Sequence, residues 1–319
     1  LLSVAILVLV ALASIAIGAK ALPLDQVWHG LFHDTGSYGD VVVDERLART
    51  VLGLLAGAAL GLSGAVLQAL TRNPLADPGL LGINAGASAA VVTATTYFGV
   101  TSLSGYVWFA FAGAAAVGAL VWFLGGSRGA TPVRLALAGT AISAALYGYL
   151  QAMMILDDAV LGKMRFWTVG SLSSASNATT LQVLPFLAVG AVLALALARP
   201  LNAVEMGDDT ARALGANLNR TRALAMLAAV LLAGAATAAC GPIVFVGLMV
   251  PHVVRSFTGP DLRWILPYAT VLSPVLLLGA DVAGRVVARP AELQVGIVTA
   301  LVGGPVFIFL VRRRRTAQL

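Results

Sequence analysis

Charge is scarce in this chain: Asp, Glu, Lys and Arg make up 11% of its 319 residues, where an ordinary soluble domain carries about 25%. That excludes the composition of a soluble globular domain. Cysteine is scarcer still. Cys240 stands alone, so no disulfide framework and no paired-cysteine metal site can form within the chain. The three histidines, His29, His33 and His252, include no His-Glu-x-x-His pair, which removes the zinc-hydrolase signature. No Gly-x-x-x-x-Gly-Lys-Ser/Thr loop is present, so the chain does not bind ATP through a Walker site. No nucleophile can be matched to a base. No catalytic residue, metal ligand or cofactor is therefore assigned.

What the chain has instead is apolar length. Hydrophobic residues make up 59% of it, and its mean hydropathy is +0.93. No charged residue occurs in 50–71, 78–127, 135–156, 166–198, 223–254, 264–280 or 293–311. About 20 apolar residues cross a bilayer as a helix, and some of these runs hold two. The pattern predicts an all-α polytopic membrane protein, one transmembrane domain over 1–319. Ten spans are expected, near 1–19, 47–70, 80–98, 107–125, 135–156, 180–198, 223–240, 243–256, 265–282 and 294–312. Residues 1–19 have the length of a signal-peptide core but are expected to be a retained helix, the first of the ten spans that the resemblance described below implies. Leu1 in place of Met predicts a short tail ahead of it.

Ten crossings put both termini on one side. With the termini inside, 13 Lys and Arg residues, Arg128 among them, fall on the cytoplasmic side and 7 fall outside. The positive-inside rule then predicts cytoplasmic termini and a multi-pass protein of the cytoplasmic (inner) membrane. The net charge of +6 is thus topological; the Arg312–Arg315 run suits lipid headgroups, and nucleic-acid binding is not indicated.

The longest extramembrane pieces are 20–46, 157–179 and 199–222. The first is acidic, with Asp25, Asp34, Asp40, Asp44 and Glu45. Its Trp28, His29 and His33 suggest an interfacial amphipathic turn, and no metal site is assigned to the two histidines. Within the spans, Gly53, Gly57 and Gly61 line one helix face, suited to internal packing, to a subunit contact or to a smooth wall along a substrate path. Gln68, Asn84, Ser88, Ser143, Gln151 and Ser273 are the polar groups there. They either bond helix to helix or line a pathway of weak contacts.

Three polar segments carry more. Residues 71–88 form a short turn between two apolar runs, where Pro74 and Pro78 end helices and Asn73 and Asp77 are placed to cap the next one. In 204–222, Asp208 and Asp209 can cap a short helix, Ala211 and Leu214 give it an apolar face toward the cytosol, and Gly215 stops it. Arg46 and Arg49 lie one helical turn apart at the outer mouth of the second span. Arg285 lies at the outer end of the ninth, four residues after Asp281, with which the spacing predicts a pair.

With Glu45-Arg46-Leu47-Ala48-Arg49-Thr50 upstream, the turn 71–88 closely resembles the permease subunits of bacterial ABC importers for iron-siderophore, haem and cobalamin. The likeness is strongest to the ferric-enterobactin members and covers nearly the whole chain. Phe166–Leu172 and Cys240–His252 also look like family segments, the first an outer re-entrant helix, the second a Pro-broken pair of short spans. The resemblance implies the type II ABC importer permease architecture, with about ten transmembrane helices. It implies a cytoplasmic gate at Asn73 and Leu75, and ATPase coupling through Gly207, Asp208, Ala211, Leu214 and Gly215. It also implies that Arg46, Arg49 and Arg285 dock a periplasmic or lipid-anchored binding protein, although Ala48 stands where the family often has Pro. The implied partners are a second permease subunit, identical or homologous, and two ATPase subunits that hold the ATP and Mg. The implied cargo is an iron-siderophore complex, catecholate favoured, with haem and cobalamin sharing the same motifs. A secondary transporter driven by an ion gradient is the rival class; it would need an ionisable group at a span centre, and none is found there.

Overall fold

The computed structural model describes residues 1–33, 36–100, 102–126 and 132–316. Asp34 of the acidic stretch and Arg128 of the cytoplasmic set lie outside the described residues. Among the described residues the secondary structure is helical throughout, with no strand. The α-helices are α1 (Leu2–Ala16), α2 (Leu24–Phe32), α3 (Tyr38–Thr71), α4 (Ile83–Phe98), α5 (Leu103–Gly126), α6 (Pro132–Leu156), α7 (Asp158–Trp167), α8 (Asn177–Ala196), α9 (Ala198–Glu205), α10 (Asp208–Ala213), α11 (Leu218–Cys240), α12 (Val246–Thr258), α13 (Leu262–Val287) and α14 (Val295–Thr316). A 3-10 turn, Pro78–Leu81, precedes α4.

Each of the ten expected spans is helical over most of its length. Those on α3, α5, α6, α8, α11 and α13 are long and apolar enough to cross a membrane by length and composition alone. The rest are shorter, with 15 residues in α1, 16 in α4 and 13 in α12, and an apolar stretch Val295–Ile308 in α14. The shortness of α12 has a visible cause. Gly241 and Phe245, with φ of 72° and 70°, hold the preceding chain out of helix. The break expected from proline therefore lies at 241–245, while Pro251 stays inside α12.

Local signals start the helices. Ser37 and Asp40 form a capping box at α3, with reciprocal bonds of 3.3 and 3.1 Å. Ser176, Asn217 and Asp261 cap α8, α11 and α13. The interfacial turn appears as α2, with Leu24, Trp28 and Phe32 exposed together.

The core is built around α3 and α11, which are buried over most of their length. Helix α3 packs against α13, α11 and α12, while α4 pairs with α5 and α6 lies on the outside. Gly53, Gly57 and Gly61 face α13: a Cβ at Gly57 would sit 2.6 Å from the Cα of Pro274. Gly64 meets the backbone of Gly247 on α12 in the same way. The glycine ridge is thus internal packing, where close backbones gain dispersion contacts that lipid cannot supply.

Candidate functional site

At one end of the bundle, α3 presents Arg46 and Arg49, and α13 presents Asp281 and Arg285. Arg49 grips the Asp281 carboxylate with Nε at 3.0 Å and Nη2 at 2.7 Å, and its Nη1 reaches Glu292 at 2.7 Å. Arg285 pairs with Asp281 at 3.0 Å, as the i, i+4 spacing predicts, and donates to the Ser14 carbonyl and hydroxyl at 2.9 and 3.0 Å. Arg46 donates to the carbonyls of Ile15, Ala16 and Lys20 at 3.1, 3.0 and 2.6 Å, satisfying the open end of α1.

Arg46, Arg49 and Arg285 are only 6%, 8% and 1% exposed. The three side chains are therefore buried rather than exposed at the mouth of the bundle. Buried charge needs partners, and these arginines hold α1, α3 and α13 together. Beside them opens a cleft of about 300 Å³, walled by the arginines and by Lys20, Glu45 and Glu292. Ser173 and Ala175, from the turn after α7, close one side of it.

At the other end, α3 stops at Thr71, and Arg72 takes the left-handed conformation (φ 49°). The Oδ1 of Asn73 accepts the Leu75 N–H at 3.0 Å, closing its own turn rather than capping the next helix. Asp77 does cap, accepting from the Gly79 N–H at 2.8 Å at the start of the 3-10 turn. Asn73 is exposed and Leu75 half-buried. A pocket of about 430 Å³ separates the turn from α6, with Ala76, Asp77 and Leu80 on one wall and Leu137 and Thr140 on the other. Burial there pushes the Asp77 carboxyl up to about 6, against the bond from Gly79.

The 199–222 loop folds as α9, α10 and the start of α11. Gly207 (φ 110°) is the N-cap of α10, and Gly215 (φ 79°) follows its end. Neither Asp208 nor Asp209 caps the helix. Instead the Asp208 carboxylate receives Arg222 Nη2 at 2.8 and 2.9 Å, and Arg72 Nη2 as well. Desolvation pushes this carboxyl up, but the two guanidiniums outweigh it and hold it below the usual carboxylate range. Ala211 is fully buried against Val204 and Leu218, whereas Leu214 is 64% exposed. The expected apolar face is therefore corrected to Leu214 alone. Beside it runs a groove of about 650 Å³, with Arg199, Pro200, Ala203 and Leu224 in its walls.

The sequence profile of the FecCD transport family matches residues 6–313. The chain belongs to the FecCD transport family. It is 48% identical over 315 residues to the ferric enterobactin transport system permease protein FepD of Escherichia coli, covering 97% of this chain and 93% of that one. It is 39% identical to the Fe(3+)-citrate import system permease protein YfmD of Bacillus subtilis, over 96% and 91% of the two chains. To the hemin transport system permease protein HmuU of Yersinia pestis it is 38% identical, over 97% and 94%. A solved metal-chelate type ABC transporter in an inward-facing conformation matches with a TM-score of 0.85 at 28% identity, over 97% of both chains. The FecCD chain is thus a polytopic ABC importer permease subunit, not itself an enzyme.

Within this FecCD permease the polar span residues divide. Gln68 donates to the Gly247 and Leu248 carbonyls at 3.3 and 3.0 Å, and Asn84 accepts from the Thr237 hydroxyl at 3.0 Å. Both are buried in the bundle, and of the two expected roles they take the bond from helix to helix. Ser143 is half-buried and Gln151 exposed, both on α6. Sequence reasoning missed Arg72, Arg222 and Glu292. Each is a charge near a helix end or in a connecting turn, which reads as topology until the chain folds its partner beside it.

Proposed function

We propose that this permease carries a ferric siderophore of the catecholate type across the cytoplasmic membrane, powered by separate ATPase subunits. One observation carries the substrate choice. Identity to the ferric enterobactin permease is 48%, against 39% for the citrate permease, 40% for the hydroxamate permease FhuB and 38% for the hemin permease. The chain is also 38% identical to FepG, named as a ferric enterobactin permease of the same Escherichia coli strain. That supports a heterodimer, in which this chain takes one half and a homologous permease the other.

In this reading both termini are cytoplasmic, and the arginine cleft faces outward. A binding-protein carboxylate enters the cleft and meets Arg46 and Arg49 at its walls, so docking is steered by charge. On the inner side, Leu214 enters a groove of the ATPase, which supplies ATP and Mg. Closure of the ATPases moves α10, and the turn carrying Asn73 and Leu75 meets its counterpart across the dimer as the gate.

The test is uptake in cells that lack their own ferric siderophore permeases and carry this chain with its neighbouring transport genes. Uptake of iron-55 as ferric enterobactin, unaffected by excess ferric citrate or haem, is expected. Uptake only of haem or cobalamin would overturn the substrate, and uptake that persists without the ATPase would overturn the importer class.

A further inference from the structure

We propose that Arg72 and Asp208 form the joint through which motion of α10 reaches the gate turn; this rests on the reading that α10 meets the ATPase. Asp208 stands in the first turn of α10, and its carboxylate is shared by two guanidiniums from different helices. Arg222, on α11, holds both of its oxygens at 2.8 and 2.9 Å. Arg72 holds Oδ1 from the end of α3, and its Nε donates to the Val204 carbonyl at 2.7 Å, at the end of α9. One side chain therefore ties the end of α3 to both helices of the loop.

The backbone at Arg72 supports the same assignment. Its φ of 49° is a conformation that glycine adopts without steric cost, and arginine does not. The strain is held by the contacts of the side chain, so turn geometry and guanidinium position depend on each other. Asn73 follows directly, and its Oδ1 fixes the Leu75 N–H at 3.0 Å. A displacement of Asp208 thus pulls on Arg72, and through it on the turn that holds Asn73 and Leu75. The body that pulls is stiff, because Ala211 locks α10 to Val204 and Leu218. Asp208 is the pivot of the joint. Without its charge, Arg72 and Arg222 face one another unneutralised and separate.

The experiment uses the complete complex, both permeases, both ATPases and the binding protein, in liposomes with ferric enterobactin as the probe. ATP hydrolysis and iron-55 uptake are measured in the same vesicles. D208N and R72Q are expected to raise the ATP hydrolysed per iron imported at least tenfold, with the ATPase still bound. D208E and R72K keep the charges and are expected to recover most of the coupling. An unchanged ratio in both D208N and R72Q would overturn the joint. So would loss of the ATPase from those complexes, which would make Asp208 a support for the ATPase contact alone. Leu214→Asp separates the underlying reading: if it leaves the ATPase bound and uptake intact, the ATPase contact itself fails, whatever Asp208 does.

Discussion

Arg49 and Asp281 are 232 positions apart in the sequence and form a two-pronged ion pair, with Nε and Nη2 on one carboxylate. Asp281 is fully buried and serves Arg285 as well. One carboxylate thus neutralises two guanidiniums inside the bundle. Replacing Asp281 with Asn leaves both arginines buried without it, and breaking such a pair costs about 3–5 kcal/mol. Thermal unfolding of the detergent-solubilised D281N protein should show a large loss of stability. A midpoint equal to that of the unmodified protein would mean that the arginines find other partners.

Glu292 is the exposed member of the same network, 2.7 Å from Arg49 Nη1. In the proposed docking, it occupies the donor that an incoming carboxylate would use. Glu292→Gln should therefore tighten binding-protein docking at low salt by up to about fivefold, the scale of one exposed pair at ~0–1 kcal/mol. The gain should fade at high salt. Calorimetric titration at two ionic strengths checks it, and weaker binding in the variant would place the docking contact elsewhere.

Asp77 gives the turn end a titration of its own. Its carboxyl lies at about 6 in the folded chain against 3.8 for the free side chain. Between those values the native state holds the extra proton, so stability falls as pH rises through this window. Asn in its place keeps a capping oxygen without the charge. D77N should therefore unfold at a higher temperature than the unmodified protein at neutral pH, and the two should converge toward about pH 4, near the free carboxyl value. A gap that stays constant with pH would show that the cap, not the charge, is being measured.

Gly57 admits no side chain, since an added Cβ would press on the Pro274 backbone, which cannot rotate away. Gly57→Leu should lower stability by about 1–3 kcal/mol or more through overpacking between α3 and α13. Gly148, on exposed α6, has nothing within 4 Å of an added Cβ. Gly148→Ala should be neutral or stabilising by up to about 1 kcal/mol. Thermal unfolding of the two variants side by side decides, and equal effects would refute the packing account.

The helices were legible because hydrophobic runs and capping residues are local signals. Asp77, Gly215 and the Asp281–Arg285 pair could be read from spacing of a few residues. The misreadings share one cause: burial is decided by what arrives from elsewhere in the chain. Arg46 looks like a rim residue until α1 brings its open carbonyls to it. Ala211 looks like half of an apolar face until Val204 and Leu218 fold over it. Gln68 fits a helix-to-helix bond or a pathway wall equally until the first turn of α12 offers it two carbonyls.

Helix α3 has 34 residues and no internal proline. From Arg49 to Arg72 it runs for about 35 Å at 1.5 Å per residue, more than the thickness of a bilayer's hydrocarbon core. Arg49, about three turns in from the start of the helix, is clamped by Asp281 and Glu292, and Arg72, just past its end, by Asp208 and the Val204 carbonyl. The span between them is thus held by ion pairs at both of its limits. With no proline between the two clamps, an axial slide or roll of α3 at Arg49 would be carried along the helix to Arg72.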